Sequence, residues 1–210
     1  MRRRNFIRSL SIGSGAIVAT PAISIPAVAN TISKTRTAKE LPADVIIAGA
    51  GMGGCAAAIA ALRNGLRVVM TEETDWIGGQ LTQQGLSCPD EHPWIESFGA
   101  TQLYSDLRTA IREYYVRHYP LTEAAKTNKN LNPGSGAVSR LCHEPRVALA
   151  VLSNMLAPYL ASGKLTLLLQ HKIEGADING DKVKALKAHS LQTGDKIILT
   201  APYFIDATEL

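Results

Sequence analysis

Cysteine is scarce in this chain. Cys55, Cys88 and Cys142 are the only three in 210 residues, and no CxxC or CxxxxC pair exists among them. That count and spacing exclude a disulfide scaffold and argue against a dithiol redox mechanism. Aromatic residues reach only 5%, and they do not interleave with basic residues in the stripe that would mark a nucleic-acid surface. There is no internal repeat and no catalytic-triad pattern. An excess of positive charge is also missing once its position is considered. The formal net charge is +4, but four of the 22 basic residues are Arg2, Arg3, Arg4 and Arg8. From Asn30 onward, 18 basic residues face 18 acidic ones, so the body is neutral and the charge does not point to nucleic acid as a partner. With 46% hydrophobic and 19% charged residues, the composition is that of one or two globular domains.

The N-terminus carries what the rest lacks. A basic start is followed by a mildly apolar stretch and then by the small-residue triplet Ala27-Val28-Ala29, the layout of an export signal over residues 1–29. Within it Arg3-Arg4-Asn5-Phe6-Ile7-Arg8 resembles the twin-arginine signal. The alternative is an uncleaved membrane anchor, but the apolar stretch falls short of a span of about 20 apolar residues and contains Pro21 and Pro26. The resemblance implies a bacterial periplasmic protein handed to export machinery already folded, often because a cofactor is inserted first. No stable membrane span is then expected after signal removal. Residues 30–42, NTISKTRTAKELP, read as a polar linker to a domain over 43–210.

That domain opens on Asp44-Val45-Ile46-Ile47-Ala48, a β-branched apolar run suited to a buried central strand. Gly49-x-Gly51-x-x-Gly54 follows at once, with Gly53 inside it, and CAAAIAALRN supplies helix formers closed by Gly65. Each glycine has its own reason: Gly49 for the tight turn, Gly51 for the approach of a pyrophosphate, Gly54 for close packing of helix on strand. A second strand, Leu66–Thr71, ends at Glu72, where a carboxylate accepts hydrogen bonds from a ribose. Glu73 beside it reads as solvated. Strand, glycines, helix, strand and acid in this order point to a dinucleotide, and an acid at that position disfavours NADP, whose extra phosphate it would repel.

Two further segments choose between FAD and NAD. Gly78-Gly79-Gln80 follows the acid, and the chain ends on Tyr203-Phe204-Ile205-Asp206-Ala207-Thr208-Glu209. With these, the chain resembles the glutathione-reductase-type FAD-binding flavoproteins and, among them, the FAD-dependent oxidoreductases. The resemblance implies FAD as cofactor, with Gly78, Gly79 and Gln80 brought against the pyrophosphate and ribityl chain, and a late strand ending at Asp206 that returns to the same cofactor. It also implies a Rossmann-like α/β fold of three layers, with a parallel central sheet and an inserted β-meander, and a backbone contact from Ile173 to the adenine. Alternatives remain for single residues: a flexible loop at Gly78-Gly79, a carboxylate capping the next turn at Asp206, a plain core residue at Ile173.

Between these markers, residues 99–162 read as a helical insertion, with helices over 99–118 and 144–162 joined by a long polar loop from Pro120 to Gly136. A buried strand follows at 165–169. Three strands, Ile173–Ile178, Val183–His189 and Lys196–Leu199, separated by Asn-Gly-Asp and Thr-Gly-Asp turns, form the meander over 173–199. In a flavoprotein the flavin carries the redox chemistry, so no side chain need be the catalyst. The candidates are His92, Asp90 and Cys88, in the segment QQGLSCPDEHPWIESFG, whose bland reading is a surface loop. Cys88, Asp90, Glu91 and His92 are metal-ligand types without metal-ligand spacing, so no metal site is assigned. Adjacent Cys142 and His143 point apart on a chain and read as a helix entrance, with Arg140 or Arg146 as an alternative anion contact. The resembled family continues beyond Asp206-Ala207-Thr208 with a Gly-Asp segment and a substrate domain. The expectation is therefore the FAD-binding portion of an oxidoreductase acting on a small-molecule substrate. Its alternatives are a non-catalytic dinucleotide-binding fragment or remnant and an NAD-dependent dehydrogenase.

Overall fold

Residues 38–209 are described by a computed structural model of the chain. The export-type segment over 1–29 and the first part of the expected linker lie outside the described residues. The apolar run Val45–Ala48 (β2) is buried along its whole length because it has a parallel neighbour on each side. These are Val68–Glu72 (β3) and Tyr203–Asp206 (β8). Leu165–Leu169 (β4) pairs parallel with β3, giving a sheet in the order β4-β3-β2-β8. Parallel neighbours need a crossover, and the Ala-rich helix Met52–Arg63 (α1) supplies it between β2 and β3.

Alternation along the strands divides the interior into two layers. Val45, Ile47, Val68 and Met70 face a core shared with α1, with Gln102–His118 (α2) and with Pro145–Ala161 (α4). Ile46 and Val69 point the other way, onto Ala43, Ala188 and Leu199. The last two belong to the meander of His171–Asn179 (β5), Lys182–Ser190 (β6) and Lys196–Thr200 (β7), antiparallel as the turn signals imply. Helices, parallel sheet and meander thus form the three layers of an α/β Rossmann-like fold.

Three expectations need correction. Lys39–Pro42, placed in the linker, forms a strand (β1) parallel to β7, in register from Lys39 opposite Ile197 to Pro42 opposite Thr200. The four residues KELP carry no alternation of their own, and their extended form comes from the open edge of β7. The strand at 165–169 is less buried than its leucines imply, since it ends the sheet: Leu165 is buried and Leu169 is exposed. The segment Pro120–Gly136 holds one helical turn, Glu123–Lys126 (α3), which Thr122 caps by accepting from the Ala125 amide at 3.3 Å. Among the described residues, no helix is long and apolar enough to cross a membrane.

Candidate functional site

β2 leads straight into the glycine loop. Gly49 turns the chain at φ +94°, and a Cβ there would overlap the Ala207 carbonyl; one on Gly54 would overlap the Gly49 carbonyl. Both positions therefore exclude any side chain for the sake of backbone packing. Gly51 differs, since a Cβ on it would meet only the Glu209 side chain. It is the N-cap of α1 and offers no side-chain cap, so the first helical N–H groups remain available to an anion. The second glycine turn is tied to the first, with the Gly78 amide donating to the Ala50 carbonyl at 2.7 Å.

Glu72 sits between the two turns. Its Oε2 accepts from the Ala50 amide at 3.0 Å, and its Oε1 accepts from the Thr74 amide and hydroxyl, both at 2.9 Å. The acid read from the sequence is thus held in place at the end of β3. Gly49, Gly51, Glu72, Gly79 and Ile173 line one cleft of about 190 Å³, although they come from four separate segments of the chain. Glu73 also lines it and pairs with Lys172 at 3.1 Å.

The other expected cofactor residues stand elsewhere. Gly54 is packed against Gly49, and Gly53 and Gln80 line a second cavity. Asp206 takes the capping part: its Oδ1 accepts from the Thr208 hydroxyl at 2.7 Å and amide at 3.1 Å, bonds that hold its carboxyl below the usual range. The residues after it, Ala207 to Glu209, face the cleft instead. Thr74, Gln84, His171 and Glu209 also line the cleft and were not legible in the sequence. Gln84 and Glu209, whose side chains bond at 2.6 Å, stand 125 positions apart. Two side-chain-free turns and open helical N–H groups are what a diphosphate requires, and the Glu209 carboxylate against Gly51 and Gly79 marks the place as one that accepts an anion, so these residues fit a dinucleotide.

Cys88, Asp90 and His92 line the second cavity, about 510 Å³ in volume, whose apolar wall includes Ala56, Ile59, Leu103, Leu107 and Met155 from three helices. His92 Nδ1 accepts from the Trp94 amide at 3.2 Å. Burial, followed by the neighbouring Cys142, Asp90 and Glu91, pushes the Cys88 thiol up, which disfavours the thiolate. Cys88 and Cys142 are neighbours here, joined where the His143 amide donates to the Ser87 carbonyl at 2.7 Å, a pairing that their spacing in sequence concealed. Burial also raises the Cys55 thiol to about 12.

Behind this loop lies a buried ion network. Arg108, 2% exposed, bonds through Nη2 to Glu91 at 2.9 Å and to Glu96 at 2.8 Å, and Arg112 adds a second cation on Glu96. Ser139 donates to Glu91 at 2.6 Å, and so does the Arg140 amide at 3.0 Å. Burial alone raises both carboxyl groups, but these bonds outweigh it and hold them below the usual Glu range. His143 is buried too, and that burial holds its imidazole below the ordinary value.

Over residues 44–210 the chain matches the FAD dependent oxidoreductases, and it belongs to that family, whose cofactor is FAD. No curated protein matches it. Among solved structures, the apo Sdh1 complex of Mycobacterium smegmatis is similar at 18% identity and a TM-score of 0.53, over 81% of this chain and 34% of that one. The myxobacterial chondrochloren halogenase CndH, a variant of the FAD-dependent halogenases, is similar at 13% identity and a TM-score of 0.50, over 80% of this chain and 37% of that one. At these identities the likeness is one of fold, and the chain spans about a third of the length of either structure.

Proposed function

We propose that the chain forms the FAD-binding portion of an exported, glutathione-reductase-type oxidoreductase acting on a small-molecule substrate. The diphosphate of FAD rests against the first turn of α1 and the Gly78-Gly79 turn, the adenosine ribose against Glu72, and the adenine beside the backbone of Ile173. The observation that carries this reading is the convergence of Gly51, Glu72 and Gly79 on one cleft. Bound there, FAD supplies reversible two-electron transfer at its flavin ring. The chain's own residues bind and orient it. Asp90 and His92, on a loop beside the cradle, are the groups offered for proton transfer to or from a substrate.

The reading is tested by the absorption spectrum of the purified full chain, followed by denaturation to identify what is released. Stoichiometric FAD supports it; NAD, or a colourless protein that takes up no added FAD, overturns it. His92→Ala and Asp90→Asn are expected to lower turnover while leaving the flavin spectrum intact. The export proposal rests on Arg3-Arg4-Asn5-Phe6-Ile7-Arg8 and Ala27-Val28-Ala29. Replacing Arg3 and Arg4 by Lys is expected to keep the protein in the cytoplasm, as cell fractionation would reveal.

A further inference from the structure

The cradle read above as a diphosphate seat is occupied by a carboxylate of this chain. A Cβ on Gly51 would overlap Glu209 Oε1, and a Cβ on Gly79 would overlap both carboxylate oxygens. The Glu209 carboxylate is therefore wedged between the start of α1 and the second glycine turn, in the space each glycine leaves open. Gln84 Nε2 steadies it by donating to Oε2 at 2.6 Å. Its charge reaches Cys55 in the first turn of α1, where Glu209 is one of the groups that raise the thiol. Glu72, the cleft's other central acid, is engaged with Ala50 and Thr74 instead.

An uncapped helix N-terminus favours a negative charge, and Glu209 supplies one from within the protein. A diphosphate cannot enter while that carboxylate stays, because the group fills the space between the two turns and like charges a few ångströms apart repel. Glu209 lies beyond the end of β8, outside any strand or helix, and is exposed.

We propose that Glu209 is a stand-in anion for the FAD diphosphate: its carboxylate fills the glycine cradle and yields the seat when FAD binds. The inference rests on the FAD reading of the cleft. Its consequence is a trade, since the carboxylate stabilises the empty cradle and by the same amount opposes loading. Glu209 thereby sets how tightly FAD is retained, apart from the chemistry of the flavin.

The test compares the full chain with Glu209→Gln, which keeps the length of the side chain and removes its charge. Both are stripped of cofactor, melted, and titrated with FAD by flavin fluorescence. The expected result has opposite signs: Glu209→Gln binds FAD tighter by on the order of tenfold, while its cofactor-free melting temperature falls by about 2–4 °C. Gln84→Ala, which removes the donor that steadies Glu209, is expected to tighten binding in the same direction but less. Weaker FAD binding by Glu209→Gln overturns the proposal in favour of a direct cofactor contact, and unchanged affinity overturns it outright. If neither protein binds FAD, the functional reading itself falls and takes this inference with it.

Discussion

Gly51 and Gly54 occupy the same motif and answer to different constraints. A methyl group on Gly54 runs into the Gly49 carbonyl, which is backbone and cannot turn aside, whereas one on Gly51 meets only a flexible side chain. Gly54→Ala is therefore expected to cost about 1–3 kcal/mol of stability, a fall of roughly 5 °C in melting temperature. Gly51→Ala is expected to melt only about 2–4 °C lower, since its methyl group displaces the Glu209 carboxylate and no backbone, and to lose FAD affinity by about tenfold or more, because that methyl group stands in the diphosphate seat. Thermal melts and FAD titrations of the two variants check both statements. Glu72→Ala removes three accepted hydrogen bonds. It is expected to weaken FAD binding and to lower stability by about 1–3 kcal/mol, as the Ala50 and Thr74 donors lose their partner. The sequence located all three residues, because each answers to a local rule of turn, cap or strand end. It left Asp206 with two readings and passed over Glu209, because which of two nearby carboxylates caps a turn and which reaches a cleft depends on the path of the chain after β8.

The loop over 88–98 is held to α2 by charge. Arg108 is nearly fully buried between Glu91 and Glu96, so Arg108→Met leaves two carboxylates short of a partner and is expected to cost about 3–5 kcal/mol, visible as a drop of about 10 °C in melting temperature. Because Glu91 and Glu96 titrate below the ordinary Glu value of 4.5, they stabilise the fold above that pH. This contribution is lost as the pH falls through their folded values. His143 acts earlier in an acid titration. Its imidazole, held below the ordinary 6.5 by burial, resists a proton that the unfolded chain accepts, so stability begins to fall below that pH. His143→Leu is expected to flatten the upper part of the melting-temperature profile and to leave the lower part in place. Thiol accessibility tests the same element: of the three free cysteines Cys88 is half-buried and Cys55 and Cys142 are buried. A maleimide is expected to label Cys88 first and the other two only on unfolding. None of this network is legible from local pattern, since Glu91, Arg108 and Ser139 belong to three segments whose meeting is a matter of packing.

Across the molecule, stability and cofactor binding are linked, because the cradle joins β2, α1, the second glycine turn and the exit of β8. A ligand that binds only the folded chain stabilises it by mass action, so FAD at about 100 times its dissociation constant is expected to add about 2.7 kcal/mol. That corresponds to a rise of about 5–10 °C in melting temperature, measurable by titrating the cofactor-free protein. The α/β class, the order of its main elements, the glycine cradle and the acid at the end of β3 were legible in the linear chain, because each depends on periodicity or on a turn that only glycine makes. The strand at Lys39–Pro42, the exposure of β4, the joining of the Cys88 and Cys142 segments through Ser87 and His143, and the seating of Glu209 were decided only when distant segments met. Edge pairing, burial and the occupancy of a cleft are properties of neighbours in space, and local sequence carries no record of those neighbours.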